Sequence, residues 1–284
     1  MERTDDSARR PTQATGTGQA DTSRWVKLST GVALPFVEQG DHSGPAVLLL
    51  HPWAESRGCF DRLRPLLPAH LHVLAPDQRG HGQAEQPATG YSLASFAADA
   101  VAFLDALGVD RAVLVGSSSG GYVAQQVAVD HPDRVSGLVL VGSPRSLHGR
   151  PPFADEVEAL VDPVDPAWVR ASLDWFPRFH EVPDWYVEDR VRDGAGMPAR
   201  TWRDTLAGLT SAIPPTRVGS IRAPTLIVWG ELDGLLAASD AQGLLADIAR
   251  SRLVVYEGTG HLVLWEVPER LARDLAGFVG SLPA

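Results

Sequence analysis

The chain has 284 residues, 44% hydrophobic and 21% charged, which excludes disordered and collagenous classes and is ample for a large core. Its formal net charge of −10 argues against a polyanionic partner such as nucleic acid, which is bound largely through Lys and Arg contacts to phosphate. No apolar run reaches membrane-spanning length, so no membrane partner is expected, and the single cysteine, Cys59, suits a reducing cytoplasm.

Residues 1–24 are rich in Thr, Ser, Gln, Asp and Arg and lack the apolar centre of a secretory signal, so they read as a disordered tail. Two short strands follow, Trp25–Thr30 and Ala33–Glu38, joined by a turn at Gly31 into an antiparallel edge hairpin. Strand and helix patterns then alternate. Strand Ala46–His51 leads to a helix near Cys59–Leu67, strand His72–Pro76 to a helix near Ser92–Leu107, and strand Ala112–Gly116 to helix Ser119–Asp130, before strand Gly137–Gly142. Such alternation means a parallel sheet with right-handed crossovers. The runs Val47–Leu50 and Leu138–Val141 fit strands covered on both faces. Cys59 falls in the apolar spacing of its helix pattern and reads as packing, not as a nucleophile.

Alternation stops between Ser143 and Arg222, a Pro-rich stretch with helical patterns at Phe153–Val161, Pro166–Trp175, Asp184–Arg192 and Pro198–Thr210. It reads as an inserted helical cap, residues 143–222, interrupting a core of residues 25–142 and 223–284. The core resumes with strand Pro224–Gly230, a helix around Asp240–Ala249, strand Arg252–Glu257 and a final helix Pro268–Val279.

The chemistry is carried by Gly116-Ser117-Ser118-Ser119-Gly120, a G-x-S-x-G at the end of an apolar strand and the start of a helix. A sharp strand-to-helix turn holds the central residue in a strained conformation with its hydroxyl above the sheet. Its neighbours Ser117 and Ser119 compete for the role, but the spacing to both glycines selects Ser118. A serine hydroxyl needs a base in contact and a third group to orient that base. Both should lie in loops at the carboxyl ends of strands. Asp233 follows the strand ending at Trp229, with Glu231 as its rival, and His261 lies in the glycine-flanked loop after the last strand. The order Ser118, Asp233, His261 is that of the strand–turn–helix nucleophile elbow. The other histidines weighed as base are His51, His81, His131 and His148; His51 and His81 are expected to bond neighbouring backbone instead. An oxyanion needs two N–H donors. Ser119 offers one, and because Pro52 has none, Trp53 in His51-Pro52-Trp53-Ala54 is the other.

Together these features resemble the α/β-hydrolase superfamily from Trp25 onward. Asp77-Gln78-Arg79-Gly80-His81-Gly82 looks like its D-x-R-G-x-G turn, His131-Pro132-Asp133-Arg134-Val135 like its H-P-x-R-V link, and Gly260-His261 with Glu266 and Pro268 like the surround of its histidine. The resemblance implies a mostly parallel eight-stranded sheet flanked by helices, with the inserted cap. Two departures stand out: His-Pro replaces the family's His-Gly after the third strand, and Ser stands beside the nucleophile where esterase-like members often carry Met or Gln.

The cap holds Trp168, Trp175, Phe176, Phe179, Trp185, Tyr186 and Trp202, and we expect Trp53, Trp175, Trp185, Arg190 and Trp265 to face the substrate. For Arg190 a surface pairing with Glu188 or Asp189 competes. No H-E-x-x-H, cysteine pair or Asp-rich loop is present, and neither a P-loop nor G-x-G-x-x-G, so no metal and no organic cofactor are expected. The resulting expectation is a cytoplasmic serine hydrolase for a small-molecule carboxylic ester or lactone, its oligomeric state open between monomer and homodimer. The rivals are a carbon–carbon bond hydrolase of the meta-cleavage product type, a cofactor-free perhydrolase, and a slow-turnover small-molecule receptor. Asp where Ser118 stands would have indicated a haloalkane dehalogenase or epoxide hydrolase.

Overall fold

Apolar runs bounded by polar turns fix an eight-stranded sheet in the order β1-β2-β4-β3-β5-β6-β7-β8, seen in a computed structural model that describes residues 23–283. The tail expected over residues 1–24 lies, for residues 1–22, outside the described residues; Arg24 already opens β1. β1 (Arg24–Lys27) and β2 (Ala33–Gln39) form the antiparallel edge hairpin, and β2 also runs antiparallel to β4 (His72–Pro76). β3 (Ala46–Leu50), β4, β5 (Ala112–Ser117), β6 (Val135–Val141), β7 (Thr225–Gly230) and β8 (Ser251–Tyr256) are all parallel. Val47 to Leu50 and Leu138 to Val141 are buried on both faces, as continuous apolar strands require.

One side of the sheet packs α1 (Leu93–Ala106) and α2 (Ser119–Asp130) through residues such as Phe103, Tyr122 and Val127. Ser92 caps α1 by accepting the N–H of Ser95. The segment expected as a helix near Cys59–Leu67 instead forms two 3-10 turns, Arg57–Phe60 and Arg64–Leu66. Its apolar spacing imitates a helix, but Pro65 cannot donate to one. Cys59 is buried there, and burial pushes its thiol well above the ordinary range, as suits a packing residue.

Between β6 and β7 lie α3 (Ala154–Glu158), α4 (Pro166–Ser172), α5 (Asp184–Gly196), α6 (Ala199–Thr210) and α7 (Pro215–Val218). Val157, Val169, Val191 and Trp202 give α3 to α6 an apolar cluster of their own. The chain then adds α8 (Ala238–Asp247), the short α9 (Val263–Glu266) and α10 (Pro268–Gly280), which lays Leu271, Leu275 and Phe278 on the other side of the sheet. Among the described residues no helix is long and apolar enough to cross a membrane.

Candidate active site

β5 ends where α2 begins, and Ser118 is the residue between them, at φ 50° and ψ −122°. So sharp a crossing requires close backbone approach: a Cβ on Gly116 would strike Gly120 and Gly121, and one on Gly120 would strike the Leu50 carbonyl. The N–H of Ser118 donates to the Val141 carbonyl at 2.8 Å, which locks the elbow to β6. Its hydroxyl stands at the N-terminus of α2, where the unpaired N–H groups of a first turn favour negative charge.

His261 Nε2 lies 3.1 Å from Ser118 Oγ, and His261 Nδ1 lies 2.8 Å from Asp233 Oδ2. A carboxylate only accepts, so Nδ1 carries the proton and Nε2 of the neutral ring is left to accept from the serine. Asp233 is itself fixed, because its Oδ1 accepts the N–H groups of Leu235 at 3.0 Å and Leu236 at 2.9 Å. Its rival Glu231 accepts the N–H of Gly258 and so ties off the turn before His261. The Phe176 ring stacks on the His261 imidazole at 5.6 Å.

Glu266 holds that covering loop down: its Oε2 accepts the N–H groups of Phe179 and His180 at 2.8 and 2.9 Å. Close approach at Gly260, whose Cβ would meet the Phe179 ring and the Pro177 carbonyl, lets the loop sit directly on the histidine turn. The family-like motif contains Glu266, but that it clamps residues 179 and 180 was not readable from the sequence.

His51 and His81 take the backbone roles expected of them. His51 Nδ1 donates to the Pro52 carbonyl and its Nε2 accepts the N–H of Gln78, while His81 Nδ1 donates to the Arg79 carbonyl. The N–H of Trp53 points at Ser119 Oγ, 2.7 Å away, on a loop where Ala54 adopts φ 67°.

Over Ser118 opens a mostly apolar cavity of about 290 Å³. Trp53, Trp175, Arg190 and Trp265 line it, together with Phe176 and Trp202, two of the insert's aromatics named above, and with Phe153 and Glu55, which the sequence did not single out. Trp185 does not: it is 53% exposed, outside the cavity. Successive residues of α5 point about 100° apart, so burying Tyr186 against Trp265 turns Trp185 outward. The surface pairing weighed for Arg190 is also corrected. Arg190 is buried, its Nη2 and Nε pair with Asp193 at 2.8 and 3.0 Å, and Glu188 and Asp189 bond Arg170 and Arg192 instead. Beside it, burial raises the Glu55 carboxyl to about 8, against the pull of the Arg190 charge.

The model of the alpha/beta hydrolase fold family matches residues 45–268. A non-heme chloroperoxidase of Streptomyces lividans is 30% identical over 275 residues, covering 90% of this chain and 99% of its own. A 2-hydroxymuconate semialdehyde hydrolase of a Pseudomonas strain is 31% identical over 264 residues, covering 85% and 84%. The solved structure of an N-acyl homoserine lactone degrading enzyme superposes with a TM-score of 0.77 at 32% identity, covering 90% of this chain and 100% of that one.

Proposed function

Because the chain belongs to the alpha/beta hydrolase fold family, we propose that it is a serine hydrolase that cleaves a carboxylic ester or lactone of a moderately large apolar substrate through an acyl-enzyme. The observation that carries this reading is the hydrogen-bonded series Ser118, His261, Asp233 beneath an apolar cavity. In this reading Ser118 attacks the carbonyl, His261 takes the proton at Nε2 and returns it to the leaving alcohol, and Asp233 stabilises the imidazolium. The N–H groups of Ser119 and Trp53 hold the oxyanion, helped by the α2 N-terminus. Water activated by His261 then releases the acid. Helices α3 to α6 act as a cap whose aromatic side chains, Trp175, Phe176 and Trp202 among them, take the apolar portion of the substrate. Similarity to a lactone degrading enzyme supports the lactone branch. A cytoplasmic location fits a chain with one cysteine.

A second reading, carbon–carbon bond hydrolysis, is favoured by the 2-hydroxymuconate semialdehyde hydrolase relative and by Arg190 and Trp265 in the cavity wall. Against it, the Asp193 carboxylate already pairs with Arg190 through Nη2 and Nε, which leaves only Nη1 for an anionic dienoate. Labelling with a fluorophosphonate, followed by turnover of p-nitrophenyl esters and lactones of graded size, tests the first reading. Wild type should label once, at Ser118, and Ser118→Ala should neither label nor turn over. Full ester turnover by Ser118→Ala would refute the mechanism, and turnover of a coloured dienoate without esters would select the second reading.

A further inference from the structure

At the end of the sheet opposite Ser118, three side chains from separate parts of the chain converge. Glu38 comes from β2, His72 is the first residue of β4, and His42 lies on the turn after β2. Glu38 Oε1 is 2.7 Å from His72 Nε2 and 3.2 Å from His42 Nδ1. The two imidazoles are 4.8 Å apart, tilted by 33°. We propose that Glu38, His42 and His72 form a binding site for a borderline divalent transition metal of the Zn²⁺ or Ni²⁺ type.

The donor set decides the class of ion. Two imidazole nitrogens and one carboxylate oxygen suit zinc, nickel or copper, whereas calcium and magnesium demand oxygen ligands. The geometry is close to that required. Bonds of about 2.0–2.1 Å in a tetrahedron separate neighbouring ligand atoms by roughly 3.3 Å. The ligand atoms of all three residues already lie within 4.8 Å of one another. Binding has to widen the 2.7 Å Glu38–His72 contact by roughly half an ångström and to adjust His42, whose side chain is 69% exposed, whereas Glu38 and His72 are held at 8%.

The backbone prepares this arrangement. A Cβ on Gly40, at φ 86°, would run into the Leu71 carbonyl, and one on Gly44 would run into that of His70. These two glycines therefore let the turn that carries His42 lie flat on the segment leading into His72. Asp41 stiffens the turn by accepting both the N–H and the hydroxyl of Ser43. Arg24 donates to Glu38 Oε2, which leaves Oε1 turned to the imidazoles, the kind of outer support that orients metal-binding carboxylates. The sequence does not show this site, because Glu38 and His42 lie 30 or more residues from His72 and only the pairing of β2 with β4 brings them together.

The experiment is calorimetric titration of EDTA-stripped, untagged full-length protein with ZnCl₂ and NiCl₂ at neutral pH, alongside thermal unfolding with and without zinc. Wild type should saturate at a single equivalent and gain in Tm. His42→Ala and Glu38→Gln should each weaken uptake by about tenfold or more, and zinc should no longer raise their Tm. His131→Ala, a distant exposed histidine, should leave uptake unchanged. Because His42 is exposed, its variant should unfold in EDTA at the wild-type temperature, so lost binding is separable from lost fold. The proposal is overturned if wild type shows no saturable uptake, or if His42→Ala and Glu38→Gln bind as wild type does.

Discussion

The hydroxyl of Ser119 accepts the backbone N–H of Trp53 at 2.7 Å, so one proposed oxyanion donor is held by the side chain of the residue whose backbone N–H is the other. An oxyanion reaching this position has to displace Ser119 Oγ or share its proton donor. The loop gives little room to adjust, since Pro52 fixes one end and Ala54 sits in the left-handed region at φ 67°.

Replacing Ser119 with Ala should therefore free the Trp53 N–H. A neutral hydrogen bond has a net worth of about 1 kcal/mol, so a boronic acid that mimics the tetrahedral adduct should bind Ser119→Ala about fivefold more tightly. Its inhibition constant is the measurement. Weaker binding would mean that the Ser119 hydroxyl itself donates to the oxyanion.

Asp233→Asn keeps the volume and an oxygen for the N–H groups of Leu235 and Leu236. That choice turns the amide NH₂ toward His261 Nδ1, which must then accept, and the ring proton moves to Nε2 facing Ser118. With the wrong tautomer the serine loses its base, and kcat should fall by roughly 10³ to 10⁴. Substrate binding should change far less, which a separate KM determination checks; an unaltered kcat would remove Asp233 from the mechanism.

The grouping of Ser118, Asp233 and His261 was legible because each lies within a few residues of the end of a strand whose apolar run is unmistakable: Ser118 after β5, Asp233 after β7, His261 after β8. Pairing of Ser117 with Val141, of Val141 with Val228 and of Gly230 with Tyr256 aligns those strand ends, so the sheet brings the three residues together. Side-chain direction on helices α4 to α6 was not legible. Arg190 illustrates why. Glu188 and Asp189 are near in sequence but do not share its face of α5, whereas Asp193, three residues on, does. Trp175 and Trp185 likewise look equivalent in composition, yet only packing against Tyr186 and Trp265 decides that Trp185 turns to solvent. The helix expected over Cys59–Leu67 failed for a local reason, since Pro65 outweighed a helical spacing of apolar residues.

Glu266 joins the loop at residues 179 and 180 to the histidine turn, one buried carboxylate oxygen accepting both of that loop's N–H groups. Glu266→Ala should lower unfolding stability by about 2 kcal/mol, because two part-buried N–H groups lose their acceptor. Glu266→Gln retains a carbonyl oxygen there and should cost only about 1 kcal/mol. Urea denaturation of the three proteins checks the order. If both variants unfold at the same midpoint, acceptance of these two N–H groups is not what Glu266 contributes.

Acid should weaken the fold through His51 and His81, whose rings lie 5.3 Å apart beneath the loop that carries Trp53. Burial holds His51 at about 4 and His81 at about 3, against an ordinary 6.5, and each charge would further oppose the other. Hydrogen bonding points the same way, since His51 Nε2 already accepts from Gln78 and a proton there would face another donor. The unfolded chain takes up protons below pH 6.5 that the native state refuses until pH 4 or 3. The stabilisation is thus complete above 6.5 and is lost as pH falls through that window, at about 1.4 kcal/mol per pH unit for each histidine. His81→Asn leaves an amide to donate to the Arg79 carbonyl and removes one titrating group. Between pH 6 and pH 4 its unfolding free energy, from urea melts, should fall less steeply than that of wild type by about that amount. Parallel pH dependences would show that His81 is protonated as readily in the native state as in the unfolded chain.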